Sequence, residues 1–282
     1  MGEPARWISV GELAEAFGAD NYTPPASNEL AGSSHVLRFE DGRAIEYRFL
    51  PDSKVAWSAS GSGGGGAGED EGEATYFALK VRDALYFVDF VAKQEPPTSV
   101  SLILDLEQGI ATALVAVLPE SPDVGHSLLA RIAAGQELTA VAATFSSAAV
   151  DAPFTAGTPR HRPTTELVGR RVEYTYSPTE RYEHIYLNEN FYTWQCLMGS
   201  EKGLADTDRC HYLKLGEQLY LFVWREKIVP TLGAVVADFS AMRTMGKIFG
   251  HAQDGSGGVV DFPVGARARL LNVTSHENET GV

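Results

Sequence analysis

The sequence has 282 residues, with 23 Lys and Arg against 37 Asp and Glu, and therefore a formal net charge of −14. Hydrophobic residues make up 44% and charged residues 21%, a balance typical of a folded chain rather than a disordered one. At about 150 residues per domain, this length predicts two domains. The acidic charge argues against nucleic-acid binding, which requires a basic face. Two cysteines allow at most one disulfide within the chain, which is too few to stabilise a fold of this length, so the fold must depend on packing.

The start of the sequence shows no targeting or membrane signal. Residues 1–6 lack the basic and then apolar pattern of a secretory signal. No stretch approaches the run of about 20 apolar residues that a membrane span requires. We therefore expect a cytoplasmic protein that binds neither nucleic acid nor membrane. The sequence leaves homo-oligomerisation open.

Helices are predicted at only two places. Ser9 is followed three residues later by Glu12, the spacing of a capping box, and this predicts a short helix through about Phe17. A second helix is predicted over residues 127–134, which a glycine ends. The surrounding stretch 121–163 is rich in Ala, Ser, Thr and Pro, and we expect it to connect the two domains.

A glycine-rich run over residues 61–66 formally contains the pattern G-x-G-x-x-G. A dinucleotide fingerprint requires a strand before this pattern and a helix directly after it. Here an acidic run, Glu69–Glu71, follows instead and would repel a pyrophosphate. We therefore expect a flexible loop, spanning about residues 59–73, between two strands.

The two halves of the sequence resemble each other. At an offset of 134, four residues of the first half recur identically in the second, and Lys80 recurs as Lys214. The four pairs are Leu85 and Leu219, Tyr86 and Tyr220, Lys93 and Lys227, and Pro96 and Pro230. Upstream, the run 29–32 resembles 166–169 at a slightly different offset. This pattern indicates a tandem duplication, with copies over about 28–120 and 164–275.

Each copy is predicted to be all-β. In the second copy, short runs rich in aromatic and branched residues alternate with turn formers. These runs are 172–176, 182–187, 191–196, 210–215, 219–225 and 233–238. Strands at such regular spacing favour an antiparallel meander that closes into a sandwich or barrel. Alternation places Tyr220, Phe222, Trp224 and Glu226 on one face of their strand.

Glu226 is the most distinctive residue of this pattern. It lies at the end of the aromatic stripe, beside Trp224, where burial would raise the pKa of its carboxyl towards a useful acid–base range. Tyr174 and Tyr176 lie on the matching stripe of another strand and are candidate hydrogen-bond donors to a ligand. The alternative is a glutamate at a strand end, paired with a neighbouring cation, above tyrosines that fill the core. In the first copy Ala92 stands at the position of Glu226, so a polar site is expected only in the second copy.

The run Asp206–His211 gathers two aspartates, a thiol and an imidazole within six positions. Carboxylate and imidazole groups suit zinc or a non-haem metal. No second histidine cluster lies at ligand spacing, and Asp-x-Asp before a strand commonly forms turn hydrogen bonds. We therefore expect neither a metal nor a cofactor. Cys196 and Cys210 are expected to be buried free thiols.

Four segments of the second copy resemble the MoaF family, molybdenum cofactor biosynthesis protein F-like. They begin at Tyr174, Tyr192, Glu201 and Phe222 and read YTYSPTERYEHIYL, YTWQCLMG, EKGLADTDRCHY and FVWREKIVPTLG. The resemblance is strong over about 165–275 and weaker over 5–120. It implies two tandem lipocalin-like (calycin) antiparallel β-barrels with a few short helices.

The second copy also has a more distant similarity to phenolic acid decarboxylases, another family of calycin barrels. The matching segments are Val168-Gly169, Tyr174–Tyr176, Tyr182–Tyr186 and Trp224–Glu226. In that family the tyrosine pair binds the substrate carboxylate and the glutamate handles the proton, without a cofactor. Those enzymes also place an arginine at the site, for which Lys202 is the nearest candidate here.

We therefore expect an N-terminal barrel over 1–120, a connection over 121–163 and a C-terminal barrel over 164–282. The second barrel is expected to hold a small, largely apolar conjugated or aromatic ligand and to act on it as a cofactor-free lyase, isomerase or cyclase. A non-catalytic carrier is the alternative, and a module that holds a protein partner is a third interpretation. The expected catalytic residues are Glu226, Tyr174, Tyr176, His184 and His211. The expected ligand-binding residues are Trp224, Phe222, Tyr186, Trp194, Tyr220 and Lys202.

Overall fold

A computed structural model of the chain describes residues 6–18, 20–60, 71–120, 128–252 and 258–275. Of the loop expected over about residues 59–73, residues 61–70 lie outside the described residues, and the two ends belong to strands that reach Ser60 and start at Glu71. The elements of the first half are α1 Val10–Phe17, β1 Ser34–Phe39, β2 Ala44–Leu50, β3 Lys54–Ser60, β4 Glu71–Arg82, β5 Leu85–Gln94, β6 Pro97–Asp105, β7 Ile110–Val117, α2 Leu128–Ala133 and β8 Ala142–Val150. Those of the second half are β9 Arg162–Pro163, β10 Arg170–Thr175, β11 Arg181–Tyr186, β12 Phe191–Met198, β13 Ala205–Gly216, β14 Leu219–Glu226, β15 Thr231–Asp238, β16 Arg243–His251 and β17 Val259–Val273.

The strands form two closed antiparallel barrels. Strands β1 to β8 pair in sequence and close through β1 and β8. Strands β10 to β17 form the second barrel, which closes through β10 with β17 and through β12 with β13. The short strand β9 adds to β13 as a ninth strand. The expectation of an all-β fold of two tandem antiparallel barrels with a few short helices is confirmed. No helix of the described ranges is long and apolar enough to span a membrane.

The duplication seen in the sequence extends to local geometry. Strands β4 and β13 have equal lengths, and their bounds differ by the same offset of 134. The tight turns that follow them place Ala84 at φ 56° and Gln218 at φ 51°, two matching left-handed positions. Each strand also shifts register just before its turn, at Lys80 and at Lys214. The two barrels are therefore equivalent strand by strand.

A matching polar contact also recurs at one end of each barrel. In the first barrel, Lys80 and the Tyr86 hydroxyl both donate to Glu29, at 3.0 and 2.6 Å. In the second, Lys214 and the Tyr220 hydroxyl donate to Glu166. Each glutamate precedes the first strand of its barrel. The contact therefore ties the start of each barrel to its fourth and fifth strands.

The domain boundaries differ from those expected from the sequence in two places. Strand β8 lies inside the stretch 121–163, yet it pairs with β1 and β7 and completes the first barrel. The sequence patterns did not predict this strand, because it consists mostly of Ala and Ser and follows β7 only after a long connection. Helix α1 opens the chain, but it packs on the second barrel, where Val10 and Phe17 join the core. Helix α1 therefore belongs structurally to the C-terminal barrel, whereas Glu29 and Leu30, just before β1, contact the first barrel.

Three apolar cores hold the molecule together. One fills each barrel, and the third lies between them, formed by the outer faces of β4 to β7 and of β13 to β16. Members of the third core include Phe87, Ile103, Leu114, Leu221, Val223, Leu232 and Phe249. Because equivalent strands of the two copies face each other, the barrels pack in a pseudo-symmetric way.

Candidate active site

Glu226 ends the inner stripe of β14, as alternation predicts. Its Oε1 accepts a hydrogen bond from the indole Nε1 of Trp224 at 2.9 Å. Its second carboxyl oxygen accepts no hydrogen bond from the residues that the structure describes. The backbone carbonyl of Glu226 accepts from the Thr139 hydroxyl at 2.9 Å, which fixes the strand end. One oxygen of this carboxyl is therefore fixed by Trp224, and the other has no hydrogen-bond donor among the described residues.

Further carboxyl groups lie at the same end of the second barrel. Strands β10, β12, β14 and β16 run in one direction and their neighbours in the other, so the end of β14 lies beside the start of β13. Asp208, on β13, accepts from the Trp194 indole at 3.0 Å and from Lys227 at 3.3 Å. Glu201, in the turn before β13, accepts from the Tyr182 hydroxyl at 3.1 Å. We call Glu226, Asp208 and Glu201 the acidic group.

Burial raises the pKa of every member of the acidic group, and the pKa of Glu226 is also raised by the charges of the other two. Burial raises the pKa of Glu226 well above its ordinary value, and the charges of Asp208 and Glu201 raise it further. Burial likewise raises the pKa of Glu201 to about 7, against the opposing effect of its hydrogen bond from Tyr182. Burial also raises the pKa of Asp208, although Lys227 opposes the shift. Burial and the neighbouring charges both favour the protonated form of the Glu226 carboxyl, which is the form that can donate a proton.

Below this end, aromatic rings fill the barrel. The ring of His184 lies 4.8 Å from that of Tyr174 and 5.1 Å from that of Tyr192, between ring centres. The hydroxyls of Tyr174 and Tyr186 bond each other at 2.7 Å. Phe222 lies 5.1 Å from Tyr186 and 5.4 Å from Trp224. Burial lowers the pKa of His184 to about 3, so its imidazole is neutral within this packed interior.

Tyr176 lies above the packed interior, near the acidic group. Its hydroxyl bonds none of the described residues, and the charge of Glu226 contributes to the raised pKa of its phenol after the dominant effect of burial. Phe17 of α1 stacks on the Tyr176 ring at 4.8 Å. Trp7, just before α1, contacts Trp194 edge-on at 5.7 Å. Helix α1 therefore covers the end of the barrel that carries Glu226.

The structure brings together only part of the predicted site. Glu226, Trp224, Trp194 and Tyr176 lie at one end, and Tyr174, Tyr186, Phe222 and His184 form the aromatic interior beneath them. Tyr220 lies at the opposite end, where it bonds Glu166. Lys202 is exposed in a turn.

His211 lies on the outer face of β13, because Cys210 and Tyr212 point inward on either side of it. Its ring packs against Phe145 of the first barrel at 5.2 Å. The structure thus places His211 on the outer face of β13, apart from Glu226 on the inner face of β14, so the two predicted catalytic residues do not lie in one site.

The same alternation separates the donors of the considered metal site. Asp206 and Asp208 share a face of β13, whereas His211 lies on the other. Among the residues that the structure describes, no group of three His, Cys, Asp or Glu side chains is placed to hold a metal ion. Cys196 and Cys210 are buried and free.

Sequence reasoning missed Glu201, Tyr182 and the aromatic residues of the N-terminal segment. Asp208 was considered only as a metal ligand. Alternation along β13, which places Asp208, Cys210 and Tyr212 on one face, would have placed it inside the barrel. Glu201 lies in a turn, where no periodicity reveals which way a side chain points. No local signal links residues 7–17 to a barrel that starts about 150 residues later.

The chain matches two family profiles. Residues 161–274 match the MoaF C-terminal domain and residues 5–120 match the MoaF N-terminal domain. A curated relative, Protein MoaF of Klebsiella aerogenes, is 40% identical over 280 residues, which cover 98% of this chain and 100% of that protein. Among solved structures, one named "putative beta-lactamase from Burkholderia vietnamiensis" is 12% identical, with a TM-score of 0.32, covering 40% of this chain and 100% of that one. A TM-score this low does not indicate a shared fold.

Proposed function

The chain belongs to the MoaF family, and we propose that its C-terminal barrel performs cofactor-free acid–base chemistry on a small conjugated or aromatic ligand. Glu226 is the general acid. The observation that carries this proposal is the position of its carboxyl, which is buried beside two other carboxyl groups that raise its pKa and, among the described residues, is hydrogen-bonded through one oxygen only. A structural glutamate at a strand end would instead be ionised and paired with a cation.

The surroundings of Glu226 suit proton transfer to carbon. The protonated carboxyl gives its proton to one carbon of a conjugated double bond, and a C–H bond forms. The resulting carboxylate keeps its hydrogen bond from Trp224, while the charges of Asp208 and Glu201 favour its return to the protonated state. The Glu226 carboxylate then takes a proton from another position of the ligand, and the electrons of the broken C–H bond form the shifted double bond, which gives an isomer and restores the carboxyl. Where the protonated carbon carries a carboxylate, loss of carbon dioxide instead of a proton supplies the electrons of the new double bond, and solvent reprotonates Glu226, which gives the lyase outcome. Attack of a second double bond of the ligand on the cationic carbon, followed by the same proton loss to Glu226, closes a ring and gives the cyclase outcome.

The residues around Glu226 also indicate the class of ligand. Trp224, Trp194, Tyr176 and Phe17 present ring faces and edges that suit a flat, apolar molecule. The acidic group disfavours ligands with several negative charges. Because rings fill the barrel below, the ligand lies at the covered end, against Tyr176 and under α1. The free Tyr176 hydroxyl orients a carbonyl or carboxyl oxygen and stabilises negative charge there.

Deuterium uptake tests the proposal directly. We would incubate the protein in D₂O with 4-hydroxycinnamate, a cyclic enone and β-ionone, and follow label at carbon by NMR. The wild type is expected to label at least one probe and Glu226→Gln none, because the amide keeps the shape and the Trp224 contact but has no acidic proton. Glu189→Gln, an exposed substitution of the same kind, is the control. Equal labelling by Glu226→Gln and the wild type would refute the role of Glu226.

Two observations favour a non-catalytic carrier as the second candidate. The Tyr174 hydroxyl is already engaged by Tyr186, and His184 is neutral and enclosed by rings. Neither is therefore free to share in a proton transfer. Tight binding of a probe with no label in any carbon position would support the carrier and reject the enzyme. Quenching of the tryptophan fluorescence of Trp194 and Trp224 measures that binding independently of turnover.

A further inference from the structure

A groove of about 710 Å³ lies on the first barrel, along the ends of β4 and β5, and reaches Asp261 of the second barrel. Phe77 and Val91, both half-buried, form its apolar floor. Asp89 and Asp261 line its inner part, and Glu73 and Lys93 lie on its rim. Its volume falls in the range of about 300–1,000 Å³ that is typical of small-molecule sites.

The duplication shows how the equivalent groove of the second barrel is used. The residues equivalent to Thr75, Phe77, Val91 and Ala92 are Arg209, His211, Arg225 and Glu226. All four are in contact with the connection between β7 and β8 or with β8 itself. The carboxyl of Glu137 bonds Arg209 at 3.0 Å and Arg225 at 2.7 Å. Phe145 covers His211, and Thr139 bonds the backbone of Glu226.

The two grooves differ in what is available to cover them. The connection between β7 and β8 comprises residues 118–141, whereas the one between β16 and β17 comprises only residues 252–258. They also differ in charge. The groove of the second barrel presents two arginines and receives a carboxylate. The groove of the first barrel presents carboxylates instead. Charge complementarity therefore predicts that this groove binds a cation, as the arginines of the second groove bind the carboxylate of Glu137.

The carboxylates of the first groove belong to a buried ionic cluster between the barrels. Lys247 of β16 lies 2.9 Å from Asp89 Oδ1 and 3.8 Å from Asp261 Oδ1, and all three side chains are almost fully buried. Ser99 and Ser101 of β6 also donate to Asp89 Oδ1. Asp89 Oδ2 has no partner among the described residues. Among the described residues, one buried lysine thus faces two buried carboxyl groups, which leaves one of them without a cation of its own in this cluster.

We propose that this groove binds a small organic cation, with its ammonium group at Asp89 and Asp261 and its apolar or aromatic body on Phe77 and Val91. In the free protein, burial and the charge of Asp261 raise the pKa of Asp89 well above its ordinary value, which favours a proton on this carboxyl. A bound ammonium replaces that proton. We therefore expect binding to release a proton.

Isothermal titration calorimetry with 2-phenylethylammonium at pH 7 tests the proposal. We expect saturable binding with one site per chain, and binding of 2-phenylethanol that is at least about tenfold weaker because it lacks the charge. Titration in two buffers of different ionisation enthalpy is expected to show proton release for the ammonium alone. Binding of the alcohol as tight as that of the ammonium would overturn the proposal, and so would the absence of saturable ammonium binding.

Two variants place the site. Asp261→Asn is expected to weaken ammonium binding at least about tenfold, and Asp83→Asn, at a fully exposed turn position, is expected to leave it unchanged. Val91→Arg introduces the arginine of the second barrel into the groove and is expected to abolish binding even if Asp261→Asn does not fold. Unchanged binding by Val91→Arg would overturn the assignment. Glu226→Gln is expected to bind the ammonium as the wild type does, which separates this site from the proposed active site.

Discussion

At the scale of single residues, the raised pKa of Glu226 has a consequence for stability. The folded state holds the proton more tightly than the unfolded chain, whose glutamate titrates near its ordinary value of 4.5. Between these two pKa values the folded state binds the extra proton. Folding stability therefore falls as the pH rises through this window, and it is fully present only below the ordinary pKa.

Glu226→Gln is expected to remove this dependence, because an amide does not titrate. The variant should match the wild type near pH 4 and become increasingly more stable than it towards pH 8. Each pH unit within the window contributes up to about 1.4 kcal/mol. Urea unfolding at pH 4, 6 and 8 measures the difference, with Glu189→Gln as the exposed control. A stability difference that stays constant with pH would show that the carboxyl is ionised in the folded state.

Gly233 has its own role at the site, because it faces Trp224 across β14 and β15. A Cβ atom at Gly233 would lie 2.0 Å from the Trp224 indole, whereas one at Gly216 would meet nothing nearer than 3.9 Å. Gly233→Ala should therefore displace the indole and cost about 1–3 kcal/mol of stability, with a shift in tryptophan emission. Gly216→Ala is the matched control. Equal stability of the two variants would show that the indole is free to move.

The positions of some residues of the site can be predicted from strand alternation, and those of others cannot. Glu226 and Trp224 were predicted to share a face, and they do, because strict alternation in a strand fixes the direction of each side chain. The same rule, applied to β13, would have excluded His211. Tyr174 was placed on the correct face, but its bond to Tyr186 depends on the curvature of the barrel, which periodicity does not encode.

At the scale of elements, α1 shows both the reach and the limit of local sequence signals. The capping box was predicted and is present, with Ser9 accepting from the Glu12 amide and Glu12 accepting from that of Ser9. The position of α1 depends on the contacts that Val10 and Phe17 make with a barrel far along the chain, and no local signal specifies those contacts.

The sequence patterns did not predict strands β16 and β17. Their frequent Gly and Ala residues lower the local β signal, although pairing with neighbours holds them.

Ser9→Ala is expected to loosen α1 without disturbing either barrel. Loss of the capping bond costs about 1 kcal/mol, and the amides of α1 should exchange with deuterium several-fold faster while those of β14 stay unchanged. Ser60→Ala, at an exposed strand end, provides the comparison. Unchanged exchange in α1 would mean that packing by Phe17 alone holds the helix. Faster exchange in β14 as well would show that α1 stabilises the whole barrel.

At the scale of the molecule, the two barrels share too much structure to be independent. The third core buries apolar side chains of both, including Phe87 and Leu221. Arg82 of the first barrel pairs with Asp238 of the second at 2.9 Å, and Lys247 reaches across to Asp89. Separation of the barrels would expose that core and would leave the buried charges without partners, at a cost of several kcal/mol.

This interface predicts a single unfolding transition for both barrels. In Trp57→Phe, the tryptophans that remain are Trp7, Trp194 and Trp224, and all three pack on the second barrel. The fluorescence of that variant therefore reports on the second barrel alone, while far-UV circular dichroism reports on both. Unfolding of either barrel would expose the apolar side chains of the other in the third core and would break the ion pairs between them. The thermal midpoints from the two signals are therefore expected to coincide. A dichroism curve with two steps, of which fluorescence follows one, would show that each copy of the duplication kept the capacity to fold alone.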